Sequence, residues 1–200
     1  MVYYHQLVKT NLKGAAMSEA LLIDNASPTL AGLKTGNLFA CPAEDIGSLR
    51  ESLRRLNRVL VPRGVRILPV RYLEERILIY LYRPARLRKD LSNGVAKEIL
   101  TSRGYPAEDS ERCVVELMRR LRADGSFPHE VGLFLGYPSE DVSGFITNGA
   151  KGAKCVGTWK VYGDEAAAQK KFALYRKCTR VYREAYGRHR SLSRLTVLAH

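Results

Sequence analysis

Three residues of the types used in acid–base or nucleophilic catalysis lie in two short stretches of the chain. His129 and Glu130 precede an apolar run, and a histidine beside a carboxylate can act as a general base or a metal ligand. Cys155 could act as a nucleophile if the fold brought it close to His129. Neighbours on an extended chain point to opposite faces, so His129 and Glu130 are not expected to share one small site. All three stay catalytic candidates, with a purely structural histidine as the competing interpretation.

The four cysteines show no pattern typical of a metal centre or a redox motif. Cys41, Cys113, Cys155 and Cys178 are widely spread, and neither they nor the four histidines have the close spacing of zinc ligands. We therefore expect reduced, buried thiols, as in other cytosolic proteins. No metal site is predicted, and no residue pattern indicates a particular cofactor.

A second dense stretch, residues 154–164 (KCVGTWKVYGD), predicts a strand with two different faces. Alternation places Cys155, Gly157, Trp159 and Val161 on the same side, and we expect that side to pack into the core. The opposite side carries Lys160 and Tyr162. These two residues are the ligand-binding candidates of this stretch, for an anionic ligand.

The charge of the chain favours an anionic partner. The formal net charge is +13, and residues 151–200 contain 12 Lys and Arg against 3 Asp and Glu. Such a field attracts phosphates, nucleic acid or acidic proteins, although a merely basic surface has the same composition. Lys34 follows Gly32, but the spacing of a phosphate-binding loop is absent, so Lys34 is an anion-binding candidate without a motif.

The predicted final helix divides its residues between two faces. Arg176, Arg180 and Arg183 cover the basic face and are further candidates for binding an anion. The other face is expected to pack on the sheet and contains Ala168, Phe172, Tyr175, Thr179, Tyr182 and Tyr186. Because the aromatic residues point inward, the helix lacks the stacking side chains of a typical surface for single-stranded nucleic acid.

Capping and turn residues predict the order α–β–α–β–β–α–α–β–α–β–α. The expected helices are residues 17–24, a helix opened by the capping box of Ser48 and Glu51, 84–102 with a break at 92–94, 110–123 capped by Gly125, 138–148 capped by Gly149, and 164–187. The expected strands are 37–41, with a buried turn as the alternative, a hairpin of 65–72 and 76–83, 131–137 and 154–162. Residues 192–198 could add a last strand or pack loosely, and residues 27–36 contain turn formers and small residues without a clean helical period.

This order predicts an α/β (α+β) fold in which a mixed sheet with an antiparallel hairpin is flanked by helices and followed by a long C-terminal helix. Residues 17–200 are expected to form a single domain, with residues 1–16 as an N-terminal extension. The longest strongly apolar run, residues 77–82, is far too short to span a membrane, and no secretion signal is apparent. A cytoplasmic location without membrane contact is therefore expected.

Three stretches together resemble an uncharacterised bacterial family, domain-of-unknown-function family 3793, which is frequent in anaerobic Gram-positive bacteria. They are SPTLAGLKTGNLF (27–39), PHEVGLFLGYP (128–138) with EDV (140–142), and KCVGTWKVYGD (154–164). The resemblance extends from Met17 to the C-terminus and implies no activity. Family members often carry a His-Cys pair before the first stretch, and Asn25 and Ala26 stand at the matching positions here, which weakens any metal or thiol role for that pair.

The sequence leaves several functions open. The first is an accessory binding protein for an anionic ligand or partner, which would use the Lys160 strand and the basic last helix. The second is a cysteine- and histidine-dependent enzyme, or a redox- or metal-linked protein. Nucleic-acid binding is a further alternative, and an interaction module whose motifs serve only packing is the last.

Overall fold

The computed structural model describes residues 17–42, 45–73, 76–123 and 127–198. Its centre is a three-stranded antiparallel sheet of β1 (Gly36–Pro42), β2 (Arg66–Leu73) and β3 (Arg76–Tyr82), in the order β1-β3-β2. The predicted hairpin and the predicted first strand are confirmed. The expected N-terminal extension, residues 1–16, lies outside the described residues.

The middle strand, β3, explains why helices cover both faces of the sheet. Ile77, Ile79 and Leu81 point into one apolar cluster, whereas Tyr80 and Tyr82 point into another, as their alternation predicts. All five side chains are at most 1% exposed. A strand that is apolar on both faces must be covered on both, so the sheet becomes the middle layer of three.

The first covering layer contains α1 (Glu19–Leu30) and α2 (Ile46–Leu60), which pack on β1 and β2 respectively. A single 3₁₀ turn, Val61–Arg63, follows α2. The capping box at Ser48 is wrong, because Asp45 is the N-cap and accepts hydrogen bonds from the amides of Gly47 and Ser48.

The turn formers in residues 27–36 do not exclude a helix in the first part of this stretch, because α1 continues through Pro28 to Leu30. The buried Ser27 hydroxyl donates to the Ile23 carbonyl within the helix. Proline at position 28 removes only one backbone donor close to the helix end, so the last turn still forms. The turn proper begins at Ala31.

The second covering layer contains α3 (Pro84–Leu91), α4 (Gly94–Ser102), α5 (Ser110–Arg122), α6 (Val131–Phe134) and α7 (Ser139–Asn148). The break between α3 and α4 and the Gly149 cap of α7 are confirmed. The proposed cap Gly125 lies outside the described residues.

The strand predicted for residues 131–137 is wrong, because this segment forms the helical turn α6 and then a tight turn. A short apolar run does not distinguish a buried strand from a buried helical turn. Gly136 ends the segment at φ 73°, in the left-handed region, and a Cβ there would lie 2.6 Å from the Thr35 hydroxyl.

The strand predicted for residues 154–162 is also wrong in form. It is a small hairpin of β4 (Cys155–Val156) and β5 (Lys160–Val161) with a turn between them. The expected division of faces is nevertheless visible, since Trp159 and Val161 are buried while Val156 and Thr158 are exposed.

The long C-terminal helix α8 (Glu165–His189) is confirmed, with Asp164 as its N-cap. Its apolar face packs along α1 and the small hairpin rather than on the sheet as expected, because α1 already covers that face of the sheet. The possible strand in residues 192–198 is a helical turn, α9 (Leu192–Leu195).

The α+β class, the antiparallel hairpin, the flanking helices and the long last helix are therefore as predicted. The expected mixed sheet is instead antiparallel, because every strand pair in the described residues is antiparallel. Within the described ranges, no helix combines the length and the apolar character needed to cross a membrane.

Candidate functional site: a basic cleft beside the last helix

A cleft opens between α1, the loop after α1, the tip of the small hairpin and α8. We call it the basic cleft, and its lining residues are Asn25, Pro28, Lys34, Asn37, Thr158, Tyr175, Arg176, Thr179, Arg180 and Arg183. Four of the six residues that the sequence analysis proposed for anion binding therefore lie together. They come from positions about 140 residues apart in the chain.

The loop after α1 brings Lys34 into the cleft. The amides of Leu33 and Lys34 both donate to the Pro28 carbonyl, at 2.8 and 3.1 Å, so the chain folds back against the last turn of α1. The Thr29 hydroxyl then donates to the Asn37 side-chain oxygen at 2.7 Å and joins the helix to the start of β1. The loop is thus anchored on both sides of Lys34.

Lys34 is a buried base at the wall of this cleft. Its side chain is 4% exposed, and burial lowers the pKa of its amine from 10.5 to about 7. Within the described part of the chain, its Nζ has no hydrogen-bond or carboxylate partner, and its one recorded contact is the Tyr137 ring, 5.3 Å away. A buried amine without a counter-ion is costly and is typical of functional sites.

The arginines of α8 supply permanent positive charge at the mouth of the cleft. Arg176 and Arg180 are exposed and one helical turn apart, so they point to the same side. Arg183 donates from Nε to the Asp24 carboxylate at 2.6 Å and is partly neutralised by it. The other polar groups of the lining are amides and hydroxyls, so the cleft carries a net positive charge.

The three stretches that resemble the family meet around Lys34. Tyr137, from the second stretch, lies against Lys34 and stacks on Trp159 of the third, with ring centres 4.9 Å apart. The Tyr137 hydroxyl donates to the Thr158 carbonyl at 3.3 Å, which holds the hairpin tip at the cleft. Segments distant in sequence thus form one wall.

Asp141, which the residue-by-residue analysis did not propose, fixes that hairpin. Its buried carboxylate accepts a hydrogen bond from the indole of Trp159 and from the amides of Tyr162 and Gly163, each at 2.7 Å. The only sequence signal for this role was the position of Asp141 in the second resembling stretch. Asn25, Asn37, Thr158, Tyr175 and Thr179 were likewise missed as cleft residues.

The two remaining ligand-binding candidates lie elsewhere. Lys160 is positioned over the Phe145 ring, 5.9 Å from its centre, in a small depression that His129 also lines. Tyr162 packs against Gly144 and donates its hydroxyl to the Gly149 carbonyl. The structure therefore does not bring Lys160 and Tyr162 into the basic cleft.

The catalytic candidates occupy separate surroundings. His129 packs edge-on against Phe145, and burial lowers its pKa. Glu130 is 1% exposed and binds Tyr105, Arg103 and Arg120 through its carboxylate.

Cys155 lies near the start of α8, where partial burial and then the Glu165 carboxylate raise the pKa of its thiol. Its recorded partners are Glu165 and Gln169, and none of its recorded interactions reaches His129 or Glu130. In the described ranges, no three His, Cys, Asp or Glu side chains are placed to hold a metal ion together.

The architecture defines an α+β protein in which an antiparallel sheet lies between helical layers and a long last helix borders a basic cleft. A family model described as "Protein of unknown function (DUF3793)" matches residues 22–196, and the chain belongs to this family. No curated protein and no solved structure matches it.

Proposed function

We propose that this protein binds a small anionic ligand, one that carries a phosphate or carboxylate group, in the basic cleft. The observation that carries the proposal is Lys34, whose side chain is 4% exposed and whose amine has no hydrogen-bond partner among the described residues, in a cleft lined by arginines of α8. An anion bound there would supply the counter-charge that Lys34 lacks. The amides and hydroxyls of the lining could accept or donate the remaining hydrogen bonds.

The shape and residues of the cleft favour a small ligand over nucleic acid. The aromatic residue in the lining, Tyr175, is buried against Trp159 and Phe172 and is not free to stack on bases. Positive charge is concentrated at Arg176 and Arg180 on one helix face. We therefore propose a small anion as the ligand, and the experiment below includes nucleic acid as the alternative.

Calorimetric titration with inorganic pyrophosphate and with citrate, at low and at high ionic strength, tests this function. We expect salt-sensitive binding of at least one of them, because exposed arginines contribute through screened charge. The double variant Arg176→Gln/Arg180→Gln should bind about a hundredfold more weakly, since it loses two charge-assisted hydrogen bonds of about 1.5 kcal/mol each.

The matched control removes the same charge from residues of the same helix that do not line the cleft. Lys170→Gln/Lys177→Gln changes two exposed residues of α8 that do not line the cleft. It should leave the affinity within about twofold, because exposed lysines that do not line the cleft make no hydrogen bond to the ligand and their attraction is screened by salt. Equal losses in both double variants, or no binding by the wild type at low salt, would refute the proposal, and tighter binding of a short RNA than of pyrophosphate would favour nucleic acid.

A further inference from the structure

We infer that Lys34 is a nucleophile that condenses with the carbonyl group of an anionic aldehyde or ketone held in the basic cleft. This inference rests on the proposed function and names the class of ligand more closely. It does not involve the catalytic candidates His129, Glu130 and Cys155.

The position of the amine carries the inference. The Lys34 side chain is 4% exposed, yet Lys34 lines the same cleft as Arg176 and Arg180. Among the described residues no side-chain nitrogen is both buried and without a hydrogen-bond partner, so the Lys34 amine keeps some access to an anion in that cleft. The Tyr137 ring closes one side of the amine, and Tyr137 is itself stacked on Trp159. An amine placed against a fixed aromatic ring can be held in one orientation toward a bound carbonyl carbon.

The ionisation state of the amine is consistent with that role. Because burial lowers the pKa of Lys34 to about 7, a large fraction of the amine is uncharged at neutral pH. An ordinary lysine is almost entirely protonated there and lacks the free electron pair that attack requires. In the described structure, no carboxylate faces Lys34 to restore its charge.

The reaction balances without any further reactant. The lone pair of Nζ attacks the carbonyl carbon and forms a C–N bond, while a proton passes from nitrogen to the carbonyl oxygen. The resulting carbinolamine then loses water and leaves a C=N bond. The anionic group stays with the arginines and hydroxyls of the cleft, and the positive iminium form is stabilised by the negative ligand.

Trapping with borohydride tests this step. The protein is incubated with pyridoxal 5′-phosphate, with glyoxylate, or with neutral pyridoxal, each at a concentration near that of the protein, and is then reduced. Peptide mass spectrometry locates the modified lysines. We expect Lys34 to be labelled about tenfold or more above other lysines by at least one of the two anions and far less by pyridoxal, since the anion directs the carbonyl to the cleft.

Two double variants test whether the arginines of the cleft direct the labelling of Lys34. Arg176→Gln/Arg180→Gln should reduce labelling of Lys34, whereas Lys170→Gln/Lys177→Gln should not. The anion that labels better, phosphate or carboxylate, identifies which of the two groups the cleft prefers. Labelling of Lys34 should also level off above about pH 8, whereas labelling of ordinary lysines, whose pKa is about 10.4, should keep rising with pH.

The failure of this inference differs from the failure of the proposed function. If pyrophosphate or citrate binds and depends on the arginines, but Lys34 is never labelled preferentially, the lysine is a binding group only and the nucleophile is refuted. If pyridoxal labels Lys34 as well as its phosphate does, the anionic substrate class is refuted. If neither anion binds at all, the proposed function itself falls.

Discussion

The Lys34 Nζ lies 5.3 Å from the centre of the Tyr137 ring and is recorded beside no carboxylate in the described structure. A charged amine in this position has lost most of its contact with water and faces an aromatic ring. The ring compensates only partly, which is why the pKa of Lys34 falls to about 7. The fold therefore maintains an unfavourable group at the wall of a cleft, and this relationship underlies both proposals.

Replacing the lysine should stabilise the fold. Lys34→Met keeps most of the side-chain stem and removes the buried amine, so we expect the variant to be more stable than the wild type at pH 7, by about 2 kcal/mol or more. Chemical denaturation of both proteins measures the difference. Arg176→Gln, at an exposed position in the same cleft, is the control and should change stability by less than about 0.5 kcal/mol.

The stability difference between Lys34→Met and the wild type should decrease as the pH rises above 7. Folding lowers the pKa of Lys34 from 10.5 to about 7, so between these values the unfolded chain binds more protons than the folded one. The stability of the wild type therefore rises with pH across this window relative to Lys34→Met, and the gap narrows by several kcal/mol at most, at about 1.4 kcal/mol per pH unit. Below pH 7 the gap is constant. A gap that widens with pH would contradict the described burial.

Arg83 should be the most sensitive arginine for stability. Its guanidinium is 4% exposed and donates to the carbonyls of Thr29, Leu30 and Val197 at 2.6 to 2.8 Å, which ties the end of α1 to the C-terminal segment. Arg83→Lys loses this geometry and should cost about 2 kcal/mol or more, because buried carbonyls lose their donors. Arg86→Lys, which changes an exposed guanidinium, should cost much less in the same denaturation experiment.

Glu130 is expected to stabilise the fold and not to take part in ligand binding. Its carboxylate accepts the Tyr105 hydroxyl at 3.0 Å and faces Arg103 and Arg120, so Glu130→Gln leaves two guanidinium groups without a buried counter-charge. We expect a loss of about 3 kcal/mol in unfolding free energy, with unchanged affinity for pyrophosphate at a temperature where the variant is folded. Loss of binding with retained stability would instead favour the catalytic interpretation.

Cys155 is expected to react more slowly than an activated thiol would. Partial burial and the Glu165 carboxylate raise its pKa, so less thiolate is present than in a free cysteine. Alkylation by iodoacetamide, followed by peptide mass spectrometry, should modify Cys155 more slowly than glutathione under the same conditions. Faster alkylation would revive the cysteine- and histidine-dependent enzyme. Glu165→Gln provides a matched test, because removal of that carboxylate should accelerate the reaction.

The sequence predicts the main sheet well because its signals are local and redundant. In β3, alternating side chains that are apolar on both faces require a middle strand, and the short connection to β2 requires an antiparallel partner. The segments at 131–137 and 154–162 were predicted as long strands because both are apolar and rich in β-formers. Their actual form depends on distant neighbours, Thr35 beside Gly136 and Phe172 beside Gly157, which no local pattern contains.

The sequence predicts that exposed arginines of the last helix form a basic surface, but not which residues of other segments join them in the cleft. Arg176, Arg180 and Arg183 follow from helical spacing on α8. That Lys34 joins them, and that Lys160 does not, depends on α8 packing along α1 instead of on the sheet. The sequence does not predict the burial of Lys34, because the loop that contains it is rich in turn residues, which are typical of exposed segments.

The most direct measurement is the titration of the Lys34 amine by NMR, in protein with isotope-labelled lysine, with and without pyrophosphate. The resonance is assigned by its absence in Lys34→Arg. We expect a pKa of about 7 in the free protein, and a rise when pyrophosphate is added, because a nearby anion favours the charged amine. Sodium chloride at the same ionic strength should not reproduce that rise. An ordinary lysine pKa in the free protein, or a low pKa that pyrophosphate leaves unchanged, would contradict the basic cleft as an anion-binding site.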